Sequence, residues 1–491
     1  MEEHEVRLAK LRALYEAGIQ PYPPRVCRTH TIAETLAQFD ALATAKATIS
    51  LAGRIKLLRV MGGATFAHIE DGTGRIQIYC KRDELGEEAY AQLKKLYDPG
   101  DFIEVAGFLF TTRTGERTLH VQRLRMLSKA LHPLPEKYHG LTNIETRYRQ
   151  RYLDLIANRD EVWPIFLTRT RAISAMRRFL DSRGFIEVET PILQPLYGGA
   201  TARPFVTHHN ALDRDLYLRI ATELYLKRLL VGGFERVYEI GKDFRNEGID
   251  RSHNPEFTMM ECYQAYADYH TMMQLTEEMI ASIAQEALGT TQITYQGTRI
   301  DLTPPWPRIT LRDAIREYMG IDIADYPDKE GLLAVMTEHH IEVDSRLARG
   351  RLIDELKAAM FRRGIPALKQ PLFLTDYPRD LSPLAKAKDD DPGSVERFQP
   401  FIGGLEVGNA FTELNDPLDQ RARFEDQARQ RAAGDEEAQV IDEDFLTALE
   451  VGMPPAGGLG IGVDRLIMLL TDQESIRDVI LFPTMREAPG Y

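Results

Sequence analysis

At 491 residues with 43% hydrophobic side chains, the chain can bury a large core over about two to four domains, and no run of about 18 apolar residues or basic leader marks it for a membrane or for export. The 61 basic and 74 acidic side chains leave a formal charge of −13, which excludes non-specific coating of nucleic acid and permits only local contacts. Cys27, Cys80 and Cys262 are odd in number and far apart, which suits neither a disulfide framework nor a close-spaced zinc site and reads as free thiols in a reducing, cytoplasmic compartment.

Residues 1–48 show helical spacing at Leu8, Leu11, Leu14 and Tyr15, a break at Pro21, Pro23 and Pro24, and a second amphipathic patch from Ile32 to Leu42. This is a small helical prefix. From Ile49 the period changes to two. Runs over residues 51–60, 65–69, 75–80, 102–110 and 117–126, interrupted by a helix over 83–96, predict the five-stranded Greek-key barrel called the OB-fold over residues 49–130. Such barrels bind single-stranded nucleic acid by base stacking and charge. Phe66 and Tyr79 supply rings, and Arg54, Arg59, Arg75 and Arg125 supply charge; residues 51–130 hold 13 basic and 10 acidic side chains, a local net of +3. The pattern alone leaves open whether Phe66 is a platform or core.

Residues 131–160 read as a Pro-containing linker ending in a basic helix start, where Arg147, Arg149 and Arg151 suit a solvated face. From 161 to 491 the pattern is one α+β domain. A helix over 169–180 stops near Gly184 and leads into an extended stretch that ends at Pro191. The loop over 196–205, with Gly198-Gly199-Ala200, is able to close over a ligand. A mostly apolar strand then ends in Glu223, either a helix cap or an inward ligand group.

Residues 237–247 and 257–263 read as two strands joined by turn residues over 248–255. Alternation puts Arg245 and Glu247 on one face of the first strand, and Phe257, Met259, Glu261 and Tyr263 on one face of the second. If those faces coincide, one surface carries a cation, rings and carboxylates, a costly choice without a ligand, although a salt-bridged surface hairpin has the same composition. Residues 290–360 read as an insertion without chemistry. The neighbouring pairs His208-His209 and His339-His340 are poorly spaced for joint metal ligation.

In the stretch 403–413, Asn409, Phe411 and Glu413 share a face and Glu406 has the opposite parity, so a site common to Glu406 and Glu413 requires a bulge near Gly408. The glycine-rich run 457–464 mimics a dinucleotide fingerprint, but Arg465 stands at the third glycine position and no βαβ unit surrounds it. A packing-only glycine strand fits the same residues.

The run Phe244-Arg245-Asn246-Glu247-Gly248, followed by His253 and Pro255-Glu256-Phe257-Thr258-Met259-Met260-Glu261, resembles the second signature motif of class II aminoacyl-tRNA synthetases in the wording of the lysyl-tRNA synthetases. The helix–Gly184–strand unit resembles the first motif, the run Gly457 to Arg465 the third, and Tyr148 to Leu155 a phrase of the same subgroup, so the resemblance spans nearly the whole chain. It implies an α+β, antiparallel-sheet catalytic domain behind an OB-fold anticodon-binding domain, a homodimer formed through the first motif, and ATP, L-lysine, tRNA(Lys) and Mg²⁺ as partners.

Residue by residue, the resemblance implies that Arg245 bridges the amino-acid carboxylate and the α-phosphate and that Arg465 grips the γ-phosphate. His253 assists at the leaving pyrophosphate, Glu247 and Asn254 contact the adenine surroundings, and Phe257 stacks on the base. Glu406 and Glu413 hold Mg²⁺. Gly199, Glu223, Glu261, Tyr263, Asn409, Phe411 and Glu413 line the amino-acid pocket, while Arg54, Phe66 and Gln77 read the central anticodon base. Carboxylates suit an ammonium on an apolar stem, whereas an aspartate pocket needs a cation. The rivals are an aspartyl- or asparaginyl-tRNA synthetase, a silent RNA-binding paralogue, and a lysine ligase for a translation factor, which lacks the barrel.

Overall fold

In the computed structural model, which describes residues 3–135, 141–432 and 440–487, period-2 alternation closes five strands into a barrel. They are β1 (Ile49–Met61), β2 (Ala64–Glu70), β3 (Arg75–Lys81), β4 (Phe102–Thr111) and β5 (Arg117–Ser128), in the order β1-β2-β3-β5-β4. Leu51, Ile55, Ile69, Ile78, Val105, Leu119 and Val121 fill the interior. A bulge between Ile55 and Leu57 keeps Arg54, Leu57 and Arg59 outside, opposite Glu70, His68 and Phe66. The prefix forms helices Glu3–Glu16, Ile32–Ala37 and Phe39–Thr44. Buried Lys129 joins Asp98 and Asp101, and Lys10 of the first helix reaches Asp98, which ties that helix to the barrel.

The chain divides into two units, residues 1–142 and 143–491. The segment expected as a linker over 131–160 is therefore not uniform. From Asn143 it forms helices Ile144–Arg149 and Arg151–Ala157 within the second unit, where buried Arg151 donates to the carbonyls of Arg477 and Leu481. Residues 290–360 likewise join the second unit, their helices Leu311–Met319, Lys329–Glu338 and Arg349–Arg362 adding Leu311, Leu332 and Leu352 to one of its cores.

The second unit is built on a mainly antiparallel sheet. Its strands are β6 (Ile186–Glu187), β7 (Arg236–Phe244), β8 (Glu256–Ala265), β9 (Arg308–Thr310), β10 (Leu372–Pro378), β11 (Ser394–Ile402), β12 (Leu405–Glu406), β13 (Gly408–Thr412) and β14 (Ala456–Gly462). They run in the order β9-β10-β11-β13-β14-β8-β7-β6, with β12 beside β11 and parallel pairs only at the two edges. One face is apolar. Tyr238, Met260, Cys262, Phe398, Ala410, Leu459 and Ile461 pack there against helices Arg159–Asp181, Tyr269–Leu288 and Val463–Leu470. The other face alternates with it and carries Glu239, Glu261, Tyr263, Arg397, Asn409 and Phe411.

The glycines of β14 are a steric requirement of that second face. A Cβ at Gly458 would overlap Glu413 Oε1 and lie 2.5 Å from Tyr263 Cε1, whereas one at Gly462 meets nothing closer than 3.8 Å. Gly458→Ala is therefore expected to destabilise the protein by about 1–3 kcal/mol, the usual overpacking penalty. Gly462→Ala should stay within about 0.5 kcal/mol of the parent. Thermal unfolding of the two variants checks this, and equal melting temperatures would contradict it.

Candidate active site

Strand register assembles the polar face. Glu239 stands opposite Glu261 and Asp243 opposite Phe257 across β7 and β8, so the two faces of the hairpin coincide. Glu261 stands opposite Gly460 and Tyr263 opposite Gly458; the same glycines face Asn409 and Phe411 of β13, and Arg397 faces Phe411. Glycine at 458 and 460 keeps this floor low between side chains that rise on both sides. Over it lies the helix Glu223–Val231. Glu223 begins that helix, and its side chain turns inward to meet Lys227 one turn on. Gly199, with φ +85°, lets its loop approach; a Cβ there would lie 3.0 Å from that of Glu223.

At this end three carboxylates are buried together. Lys227 Nζ donates to Glu223 Oε1 at 2.5 Å and forms an ion pair with Glu413. Burial alone would lower the Lys227 ammonium, but the two carboxylates outweigh it and hold it above its ordinary value. Burial pushes Glu223 and Glu413 up, and Lys227 pulls both back. Glu261 differs. It accepts a hydrogen bond from the Tyr263 hydroxyl at 3.1 Å, and no cationic side chain among the described residues pairs with it. Burial, with Asp243 and Glu223 adding to it, pushes its carboxyl up to about 8.

The nearby cations are committed elsewhere. Arg219 is buried, occupies the space above Gly241, pairs with Glu239 and with Asp243 at 3.2 Å, and donates to the Lys242 carbonyl. Burial raises Asp243 to about 6 against the pull of Arg219 and Arg245.

The other end of the face is cationic. β7 stops at Phe244, so Arg245 and Glu247 lie in the connecting loop rather than on the strand, and Glu247 is exposed. The Arg245 guanidinium lies 5.0 Å from the Phe257 ring centroid and donates to the Ile220 carbonyl. Asp250 braces the loop by accepting from the Ser252 and His253 amides and from His253 Nδ1. Partial burial works against its charge, yet these bonds lower it to about 2. Arg465, in the first turn of helix Val463–Leu470, lies 3.3 Å from His253 Nε2 and donates to the Glu406 carbonyl at 2.9 Å. Asn254 is buried and its amide is spent within the chain, on the Glu256 carbonyl and the Thr484 amide.

Glu406 and Glu413 require a correction. The expected irregularity exists: pairing with β11 shifts by one residue between Phe401–Glu406 and Phe398–Ala410, which turns Glu406 onto the face of Asn409 and Phe411. It does not join the two carboxylates. The Glu413 amide bonds to Ala456 at one end of β14, whereas Glu406 borders Arg465 beyond the other end, and β13 alone spans roughly 13 Å. Glu413 belongs with Lys227, and Glu406 with the arginines. Among the described residues no three His, Cys, Asp or Glu side chains cluster as a metal site. Glu406 is half-buried and without an ion pair among the described residues. That suits Mg²⁺, which takes one or two carboxylates and completes its shell from phosphates and water.

In the barrel, one row of rings crosses the outer face. Phe66 lies 4.8 Å from Tyr79, Tyr79 5.2 Å from His120, and His120 4.7 Å from Phe108, centroid to centroid. Gln77 lies one step away and accepts from the Thr118 hydroxyl. Arg54 is on the same face but is not brought to Phe66. It stacks 4.2 Å from the Phe102 ring and donates to the Gly100 carbonyl, while Arg59 is the residue opposite Phe66. His120 and Phe108 escaped the sequence reading, although alternation along β4 and β5 aims them outward.

A family model for tRNA synthetases class II (D, K and N) matches residues 143–486, and one for the OB-fold nucleic acid binding domain matches residues 49–127. The lysine–tRNA ligase of Chloroflexus aurantiacus is 58% identical over 482 residues, covering 98% of this chain and 97% of the relative. Those of Roseiflexus castenholzii and Moorella thermoacetica are each 56% identical, covering 99% and 98% of this chain and 99% and 97% of the relatives. With one family model over most of the chain and such relatives over nearly its full length, the chain belongs to the class II tRNA synthetases, in the lysine–tRNA ligase family.

Proposed function

We propose that the chain activates L-lysine with ATP to lysyl-adenylate and transfers lysine to the 3′ end of tRNA(Lys). One observation carries the choice of amino acid: Glu261 is a buried carboxylate with no cationic partner among the described residues, on a face otherwise lined by Glu223, Glu413, Tyr263, Asn409 and Phe411. An aspartate side chain would meet carboxylates there, so the aspartyl and asparaginyl readings are not favoured. Pyrophosphate exchange into ATP without tRNA, run across the amino acids, tests the assignment. Exchange with aspartate or asparagine rather than lysine would overturn it.

The chemistry joins two anions, the lysine carboxylate and the α-phosphate. Arg245 lies where it can bridge them, and Arg465 with His253 supplies positive charge for the leaving pyrophosphate. No protein nucleophile is needed, because positioning and charge neutralisation suffice. Phe257 offers a stacking ring for adenine, Glu247 an exposed carboxylate in the same loop as Arg245, and Asn254 holds the loop through Glu256 and Thr484. Bound Mg²⁺ would neutralise phosphate charge, and Glu406 is the carboxylate we assign to it. Glu413 is assigned to the lysine pocket alone.

Residues 49–130 are assigned to anticodon binding, through Phe66, Gln77 and the row of rings, with Arg59 in place of Arg54. Residues 161–491 are assigned to catalysis. A homodimer is supported by apolar exposure after the helix Arg159–Asp181, at Ile186, Ile192, Leu193 and Leu196. Among the described residues no helix is long and apolar enough to cross a membrane, and Cys27, Cys80 and Cys262 are free thiols. Both features are compatible with a cytoplasmic location.

Three expectations follow from these assignments. Glu261→Gln removes the charge that meets the substrate, so lysine binding should weaken by about 2–5 kcal/mol. ATP affinity should hold and the melting temperature should not fall, since no internal ion pair is broken. Equal loss for both substrates together with a lower melting temperature would assign Glu261 to structure instead. Phe66→Ala should weaken tRNA binding by about 1–3 kcal/mol, the usual value of one stacked base, and leave lysine activation intact; a matching fall in activation would make Phe66 core. Glu406→Gln should raise the Mg²⁺ concentration needed for half-maximal exchange, whereas Glu413→Gln should raise the KM for lysine without moving it. The reverse pattern would restore Glu413 to the metal.

A further inference from the structure

We propose that Lys227 is a positioning residue for amino-acid selection: a resident ammonium that keeps Glu223 and Glu413 charged and ordered, so that Glu261 is left to receive the ammonium of the substrate. The proposal rests on the lysine-activating reading and extends it to a residue outside the expected pocket.

The geometry separates Lys227 from a surface lysine. Its side chain is fully buried, held between Glu223 on its own helix and Glu413 just past the end of β13. Phe411 and Phe445 flank its ammonium, with Nζ 5.3 Å and 6.0 Å from the ring centroids. The titratable and charged groups around this knot are Glu261 and Tyr263 from β8, Arg397 from β11, Asp243 from β7 and Glu413 beyond β13, while Asp442 and Asp444, at the start of the packed helix Glu443–Gly452, are paired with Arg228. Arg397 is itself bound to Asn409 Oδ1 at 2.7 Å, so Lys227 is the cation in contact with Glu223 and Glu413.

Removing a positive charge beside a cation site would, by Coulomb's law alone, tighten binding of another cation. The pocket predicts the opposite. Without Lys227, three buried carboxylates face one substrate side-chain ammonium, and buried carboxyls that lack a cation take up protons. A protonated carboxyl presents an O–H donor where the substrate needs an acceptor. Lys227 thus acts through Glu223 and Glu413, and its charge supports a second cation instead of opposing it.

Lys227→Met preserves length and removes charge, and Lys227→Gln serves if the first variant does not fold. Lysine-dependent pyrophosphate exchange is measured from pH 6.5 to 9 together with the KM for ATP. At pH 7 the KM for lysine should rise at least about tenfold with kcat within a few-fold and ATP unchanged. The deficit relative to the parent should shrink several-fold by pH 9, as the carboxyls ionise while the lysine side chain stays charged. Tighter lysine binding, or a deficit equal for both substrates and constant with pH, overturns the proposal.

The unmodified protein supplies a further check. Calorimetry of lysine binding in buffers of different ionisation enthalpy should find at most one proton released per lysine near pH 7. Two or more would mean that Glu223 or Glu413 is protonated beside Lys227, against the proposal. Failure of the unmodified protein to activate lysine at all would sink the functional reading itself, whereas normal activation with an indifferent Lys227 variant sinks only this inference.

Discussion

Glu223, Glu261 and Glu413 are withdrawn from water within one pocket, and buried anions stay ionised only where cations meet them. Lys227 meets two of the three. Arg219, the other buried cation nearby, is spent on Glu239 and Asp243, so it holds the hairpin together and offers nothing to Glu261. The charge balance at this end of the sheet is therefore incomplete among the described residues. Completing it with a ligand ammonium is the simplest physical reason for such a composition, since a purely structural pocket would be more stable with apolar residues of similar volume.

The rest of the second unit serves that placement. One face of the sheet is sealed by the helices Arg159–Asp181, Tyr269–Leu288 and Val463–Leu470, which frees the opposite face to carry charge. β14 then has to run through the middle of the charged face without side chains of its own, because Glu413 and Tyr263 occupy the space above Gly458. Packing and function are not alternatives for this strand. The same absence of Cβ atoms that lets neighbours pack also opens the floor of the site, and the strand leads directly to Arg465 at the start of its helix.

Much of this was legible in the residues. Period-2 runs located all five barrel strands to within a few residues, because each has a wet and a dry face, and the coincidence of the hairpin faces followed from alternation once the register was known. What was not legible depended on features without a local signature. Parity alone put Glu406 on the opposite face, and only the condition of a bulge near Gly408 anticipated the one-residue shift against β11. Spacing could not show that Glu413 ends its strand beside a helix from a remote part of the chain. Nothing in the sequence around Lys227 marks it as buried, although its i, i+4 spacing from Glu223 was the available clue. Arg54 pairs with Glu70, well along β2 from Phe66, and the bulge after Ile55 decides only that Arg59 and not Leu58 stands across from that ring.

The two ends of the face also explain why the charges are kept apart. Phe257, with the Arg245 guanidinium over it, and Glu261 are four residues apart on β8, roughly 13 Å along the strand, a distance that their neighbours' long side chains shorten. A molecule with an ammonium at one end of an apolar stem and a carboxylate at the other is oriented by such a surface before any reaction occurs. Reversed, it would set ammonium against guanidinium and carboxylate against carboxylate, two repulsions in a poorly solvated site. Tyr263 and Phe411 can then contribute by shape alone, holding the stem between the poles. On this view the carboxylates discriminate by polarity as much as by attraction, and the unpaired state of Glu261 and the paired state of Glu413 are two parts of one arrangement.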